Sequence, residues 1–346
     1  MRLDRANRNF IAFMAIALLF GAFVLCGALG GVLVPLILAR VSQGGAVRPH
    51  NGAAFGPALV FVVLIAVGLG LGGRSLARHA VASRRLARRV RALAMTVPDE
   101  LMRAALQAGL DGRVVLVDAS DSLSFVYGAL TPRVAVSRGL LKSASHGELR
   151  AVLEHERYHV CNLDPLKVVL LRALSAALFC LPALDSLSAR YLAGRELAAD
   201  RRAVAVCGRR PLAGALLKVV RGPAWSELGV AASGSPELLD VRVAQLETGT
   251  EPRPETLSAV RVVLSLAGVA LVAAVFLVSV SSFGGPAAVY HAIGTRVATA
   301  TVLGSLACTA PLAGAGLLVY SLIALRASRP LRFGGSWQLE RSAPGS

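Results

Sequence analysis

A chain of 346 residues that is 55% hydrophobic, with a mean hydropathy of +0.63, is not an ordinary soluble domain. Its apolar runs are long enough for membrane spans, which need about 20 residues each. The net charge of +17 does not mark a nucleic-acid binder. Only 3 of the 37 basic residues are Lys, no basic platform interleaved with aromatics is present, and the arginines cluster beside apolar runs as in cytoplasmic loops. Cys26, Cys161, Cys180, Cys207 and Cys308 form no C-x-x-C pair and read as buried thiols without a disulfide framework.

From the N-terminus, a short basic stretch (1–9) precedes the apolar run Phe10 to Ala39. That run would make about 45 Å of helix against a hydrocarbon core of about 30 Å, so it must tilt or end near Gly30-Gly31 or Pro35. It is too long for a signal peptide, no cleavage site closes it, and it reads as a retained span. A polar loop, Arg40 to Gly52, leads to a second span, Ala53 to Gly73. Arg74, Arg78, Arg84, Arg85, Arg88, Arg89 and Arg91 follow with no acidic residue among them. Positive-inside logic puts this stretch, and with it the N-terminus, in the cytoplasm; the run itself is a topology anchor on anionic lipid.

Pro98 opens a soluble region. Residues 113–118, 125–128 and 133–137 read as short strands separated by turn residues, with Thr131-Pro132 between the last two. A strand directly before the next helix is expected to offer an edge to an extended peptide.

That helix carries His155-Glu156-Arg157-Tyr158-His159, an H-E-x-x-H pattern. Positions i and i+4 share a helix face, so both imidazoles can point at one metal ion. Glu156 lies close to the same face, where a carboxylate can take a proton from water activated at the metal. Ser145 and Glu148 make an S-x-x-E capping box at its start. A third ligand is available in a second probable helix, Tyr191 to Asp200: Glu196 completes a two-His-one-Glu set for zinc, one ion per chain. Asp200, one turn on, is placed to hydrogen-bond a ligating histidine. The competing reading pairs Glu196 and Asp200 with Arg195, Arg201 or Arg202 on a solvated face.

Residues 166–184 are apolar enough to suggest another span. A single crossing there would separate His155 and His159 from Glu196 across the bilayer, and Lys167, Arg172 and Pro182 also speak against it. The stretch reads as a helix buried in the catalytic domain or lying against the membrane face. Helices are expected over Pro211 to Val220 and from Ser235-Pro236 to about Glu247, then spans over Leu257 to Phe283 and Val297 to Leu325.

The fold expected is a mostly α membrane protein with about four transmembrane helices and a cytoplasmic α+β zincin-like catalytic domain containing a small sheet. Its divisions are 1–73, two spans with a short external loop; 74–94, an Arg-rich cytoplasmic linker; 95–256, the metallopeptidase domain; 257–325, two further spans; and 326–346, a cytoplasmic disordered tail.

The arrangement resembles the integral-membrane gluzincin metalloproteases. These comprise the prenyl-protein and heat-shock membrane proteases and the protease module of the β-lactam-sensing antirepressor receptors. The residues that carry the resemblance are His155, Glu156 and His159, then Glu196-x-x-Ala199-Asp200 as the family's E-x-x-A-D. Phe125 to Leu141 looks like the strand-turn-strand before the zinc helix, and Asn162 to Pro165 like the segment just after it. Ser235-Pro236 through Arg242 is similar to a downstream element in which the family often has His at the position of Ser235. The likeness covers about residues 95–250. It implies a zinc-dependent endopeptidase with its active site at the cytoplasmic face, acting on a protein or peptide. The stretch after Leu325 is expected to leave no room for a large extracellular sensor domain.

On this reading His155, His159 and Glu196 hold Zn²⁺, and Glu156 takes a proton and hands it to the leaving amine. Tyr158 or Tyr191 is the expected second oxyanion donor. The rival readings are a signalling transducer whose output is cleavage of one cytoplasmic repressor, and a non-catalytic membrane scaffold. A transporter is disfavoured by the scarcity of paired ionisable residues in the spans.

Overall fold

The structure, a computed structural model, describes residues 4–28, 55–219, 236–252 and 256–282. Two long apolar helices come first, α1 (Arg5–Ala28) and α2 (Phe55–Ala92). The arginine-rich stretch expected as a linker is the continuation of α2, because alternating Arg and Ala/Leu without Gly or Pro sustains helix after the apolar segment ends. β1 (Ala94–Met95) and α3 (Asp99–Gln107) lead into β2 (Val114–Val117), β3 (Ser124–Tyr127) and β4 (Arg133–Ser137). Then follow α4 (Arg138–Ser143), α5 (His146–Cys161), α6 (Asp164–Ala177), α7 (Ala183–Cys207), α8 (Arg209–Lys218), α9 (Pro236–Thr248) and α10 (Ala259–Ser282).

Three of these helices are long and apolar enough to cross a membrane, over Arg5–Leu25, Leu59–Ala92 and Ala259–Phe276. The expected span Val297 to Leu325, the tail after it and the loop Arg40 to Gly52 lie outside the described residues. The stretch 166–184 does not form one continuous helix. α6 has 14 residues, about 21 Å at 1.5 Å per residue, and the chain reverses before Ala183 starts α7. The hairpin so formed packs against α1, α2 and α10 in one apolar cluster that includes Phe13, Phe61, Leu171, Leu184, Tyr191 and Phe276. Close approach of α2 depends on glycine. A Cβ at Gly68 would stand 2.7 Å from the Ala177 carbonyl oxygen, and one at Gly72 2.8 Å from the Ala177 Cβ.

The sheet has the order β1-β2-β4-β3, with β2 and β4 parallel and the outer pairs antiparallel. β4, the strand just before the H-E-x-x-H helix, is therefore paired on both sides and offers no edge. The hydrophobic face of the sheet explains this: Val134, Ala135 and Val136 are all fully buried, as befits a central strand. The outer edge on that side belongs to β3. α5 lies against one face of the sheet through Leu149, Val152, Leu153 and Val160. Its start is held by the capping box, with Ser145 accepting from the Glu148 backbone N–H and Glu148 accepting from that of Ser145 at 2.7 Å.

Candidate metal centre

α5 and α7 pack closely, and the contact is lined by small residues: Ala151 of α5 and Ala203 of α7 are both fully buried. This brings His155 and His159 of one helix against Glu196 of the other, with their ligand atoms all within 4.8 Å of one another. The two Nε2 atoms stand 3.2 Å apart. Glu196 Oε2 lies 3.4 Å from His155 Nε2, and Oε1 lies 3.6 Å from His159 Nε2.

Both imidazoles are oriented from behind by a carboxylate. His155 Nδ1 is 2.9 Å from Asp200 Oδ1, and His159 Nδ1 is 2.6 Å from Asp164 Oδ2. Donation from Nδ1 to these oxygens leaves each Nε2 directed at the shared centre. Asp200 is itself gripped by the Arg242 guanidinium, whose Nε and terminal NH2 donate at 2.6 and 2.7 Å. Asp164 accepts from the Tyr191 hydroxyl at 2.6 Å. Glu156 is buried on α5 beside His155, and its negative charge helps hold the Arg242 pKa up.

The electrostatics suit a cation. Burial disfavours the charge of Glu196, yet the imidazoles of His159 and His155 and the Arg195 guanidinium hold its carboxyl well below the usual range. Burial likewise opposes charge on His155, but its hydrogen bond to Asp200 and the neighbouring Glu196 carboxylate outweigh that and lift its pKa to about 9. Both Glu196 oxygens are shielded from solvent, and neither accepts a hydrogen bond, although Arg195 Nε stands 3.2 Å from Oε1. A buried carboxylate left so is costly, and a metal ion between it and two facing Nε2 atoms answers the deficit. The donor set fits a divalent metal.

The solvated-face alternative for the two acidic residues of α7 does not describe them: Glu196 is 1% and Asp200 0% exposed. Arg201 and Arg202 turn away to Glu251 and Glu154, at 2.9 and 3.4 Å. Neither tyrosine offered as an oxyanion donor faces the centre with a free hydroxyl. Tyr191 donates to Asp164, and Tyr158 donates at 2.5 Å to Asp4, the residue that caps α1 through the Asn7 backbone N–H. Burial and these acceptors push both phenols up from their ordinary value.

Asp164 and Arg242 join the centre without having been assigned a role from the sequence, although both lie in segments that carry the family resemblance. Asp164 returns to His159 because Leu163 takes a left-handed conformation (φ 53°, ψ 38°) that folds α6 back on α5. Besides that resemblance, its sequence signal is Asp164-Pro165, an acidic residue and a proline at a helix start. Arg242 arrives from α9, far along the chain, and is anchored there by Gln245 Nε2 donating to the Leu197 carbonyl at 2.9 Å.

A two-histidine, one-carboxylate cluster on two packed helices, in a chain with three other helices long and apolar enough to cross a membrane, is the arrangement a membrane-associated metallopeptidase requires. The sequence model of the BlaR1 peptidase M56 family matches residues 51–246, and the chain belongs to that family. No curated protein and no solved structure matches it.

Proposed function

We propose that the protein is a membrane-bound, zinc-dependent endopeptidase that hydrolyses peptide bonds at the cytoplasmic face. The observation that carries this reading is the convergence of His155, His159 and Glu196, each imidazole backed by a carboxylate and the Glu196 oxygens lacking any hydrogen bond.

When bound, zinc supplies a Lewis acid that polarises the scissile carbonyl and acidifies water. His155, His159 and Glu196 hold the ion, while Asp200 and Asp164 fix the imidazole orientations. Glu156 takes the proton of the attacking water and passes it to the leaving amine as the C–N bond breaks. The extended substrate lies along β3, the outer strand of the sheet, in antiparallel pairing.

Glu156→Gln in purified full-length protein tests the assignment: it is expected to abolish cleavage while retaining about one zinc per chain by elemental analysis. Turnover surviving in that variant overturns the role of Glu156. Absence of zinc in all samples after metal supply leaves the scaffold reading.

Membership of the BlaR1 peptidase family favours a narrower output, regulated cleavage of one cytoplasmic repressor. A substrate trap built on Glu156→Gln separates the two: a single captured partner supports the transducer, and a spectrum of membrane proteins supports quality control of the kind carried out by the heat-shock membrane proteases.

A further inference from the structure

Away from the metal centre, a cavity of about 420 Å³ opens between α2 and the α6–α7 hairpin. Arg78, His79 and Arg172 line it together with the Ser175 hydroxyl, the Phe179 ring and the Asp185 carboxylate. On α2 these residues come directly after the apolar stretch ends at Gly73, at the level where a spanning helix meets the lipid headgroups. On α6, Arg172 is eight residues from Asp164, about 12 Å along the helix from the carboxylate that backs His159.

The basic end of the cavity is built. His79 Nδ1 lies 2.7 Å from the Ser75 carbonyl oxygen, and Arg172 NH1 lies 3.2 Å from His79 Nε2. Arginine can only donate, so Nε2 is the acceptor and the His79 proton sits on Nδ1. His79 thus holds the Arg172 guanidinium in place through Nε2. Ser75 Oγ donates to the Arg172 carbonyl at 3.3 Å and ties the two helices at this point.

Two features ask for an anion. Neither Arg78 nor Arg172 has a carboxylate within ion-pair distance among the described residues, although Arg172 is only partly exposed. The Ser175 hydroxyl is shielded from solvent with no hydrogen-bond partner. A phosphate supplies acceptors for all three. The other end of the cavity is apolar, with Phe179, Leu181 and Pro182, and Leu71 and Leu76 are exposed on α2. Free phosphate would leave that end unused.

We infer that this cavity binds the phosphodiester headgroup of a membrane glycerophospholipid, with Arg78, Arg172 and Ser175 on the phosphate and Asp185 available to headgroup hydroxyls or amine. A lipid seated there joins α2 to the hairpin that carries Asp164 and Glu196.

Native mass spectrometry of the full-length protein, titrated with phosphatidylglycerol in mild detergent, tests this directly. One lipid per chain is expected to bind above a statistical background. Arg78→Gln should weaken it about fivefold, and Arg78→Gln with Arg172→Gln about 25-fold. Ser175→Leu, which fills the cavity without changing charge, should also remove it, while Arg85→Gln with Arg88→Gln on the exposed continuation of α2 should leave it intact. Gel filtration and thermal melting identify any variant that fails to fold; Arg78 is exposed, so that variant is decisive by itself. Equal loss from the Arg85 and Arg88 control, or no preferential lipid in the wild type, overturns the site in favour of diffuse attraction to anionic lipid. Displacement of the lipid by millimolar inorganic phosphate overturns the lipid as ligand.

Discussion

Asp164 stands behind His159, its Oδ2 2.6 Å from the imidazole Nδ1, while its Oδ1 accepts from the Tyr191 hydroxyl. One carboxylate thereby links both metal-bearing helices to the turn after α5. Asp164→Ala should weaken metal binding by about 10–100-fold, since it frees the ring to rotate and removes the acceptor that sets its tautomer. Tyr191→Phe should cost less, because Asp164 keeps its bond to His159. Competition with a chelator of known affinity measures both.

The Asp200–Arg242 pair is almost wholly buried, with side chains 0% and 4% exposed. Removing one partner leaves the other charge unpaired in the interior, at a cost of about 3–5 kcal/mol. Arg242→Ala is therefore expected to lower stability strongly, and Asp200→Asn to do so less, because the amide still accepts one hydrogen bond from Arg242. Denaturant unfolding of the two variants and their double mutant should show coupling well above the about 0.3–0.5 kcal/mol scatter of independent sites.

Metal binding should depend on pH in a definite direction. Without metal the His155 pKa is held up, at about 9, so below that value a proton competes for the ligand position. Glu196 is already ionised across the same range, its carboxyl being held far down. Apparent affinity should rise about tenfold per pH unit from pH 6 to pH 8 as one proton is displaced, and level off above pH 9. Chelator competition at several pH values checks the slope; a flat profile would show His155 to be neutral before metal arrives.

The contact of α2 with α6 makes an internally controlled prediction. Gly68→Val and Gly72→Val place atoms against Ala177, whereas a Cβ at Gly70 or Gly73 meets nothing within 4 Å. The valine variants should lose about 1–3 kcal/mol from forced separation of the helices. Gly70→Ala and Gly73→Ala should be neutral or slightly stabilising, as expected for glycine replaced in a helix. Thermal melts in one detergent compare all four.

Much was legible in the chain itself where the physics is local. The i, i+4 spacing of His155 and His159 follows from helical pitch, the S-x-x-E box marks where that helix begins, and unbroken apolar runs announce α1, α2 and α10. The strand positions follow from short β-branched segments between turn residues. Beyond the pairing of Glu196 and Asp200 with the two histidines, relations between distant segments were not legible. The order β1-β2-β4-β3 puts the expected edge strand in the middle of the sheet. Tyr158 and Tyr191 spend their hydroxyls on carboxylates, and Arg242 finds Asp200 across 42 positions. Even the hairpin at 166–184 was decided by packing, because a 14-residue apolar helix can be buried by lipid or by neighbouring helices and its own pattern does not distinguish them. Periodicity and capping act within a few residues and so determine which helices exist and which face of each bears the candidate ligands. Which faces meet, which carboxylate stands behind which imidazole and where an unpaired arginine is left beside a cavity depend on tertiary packing, since those energies arise only when segments far apart in the chain are brought together.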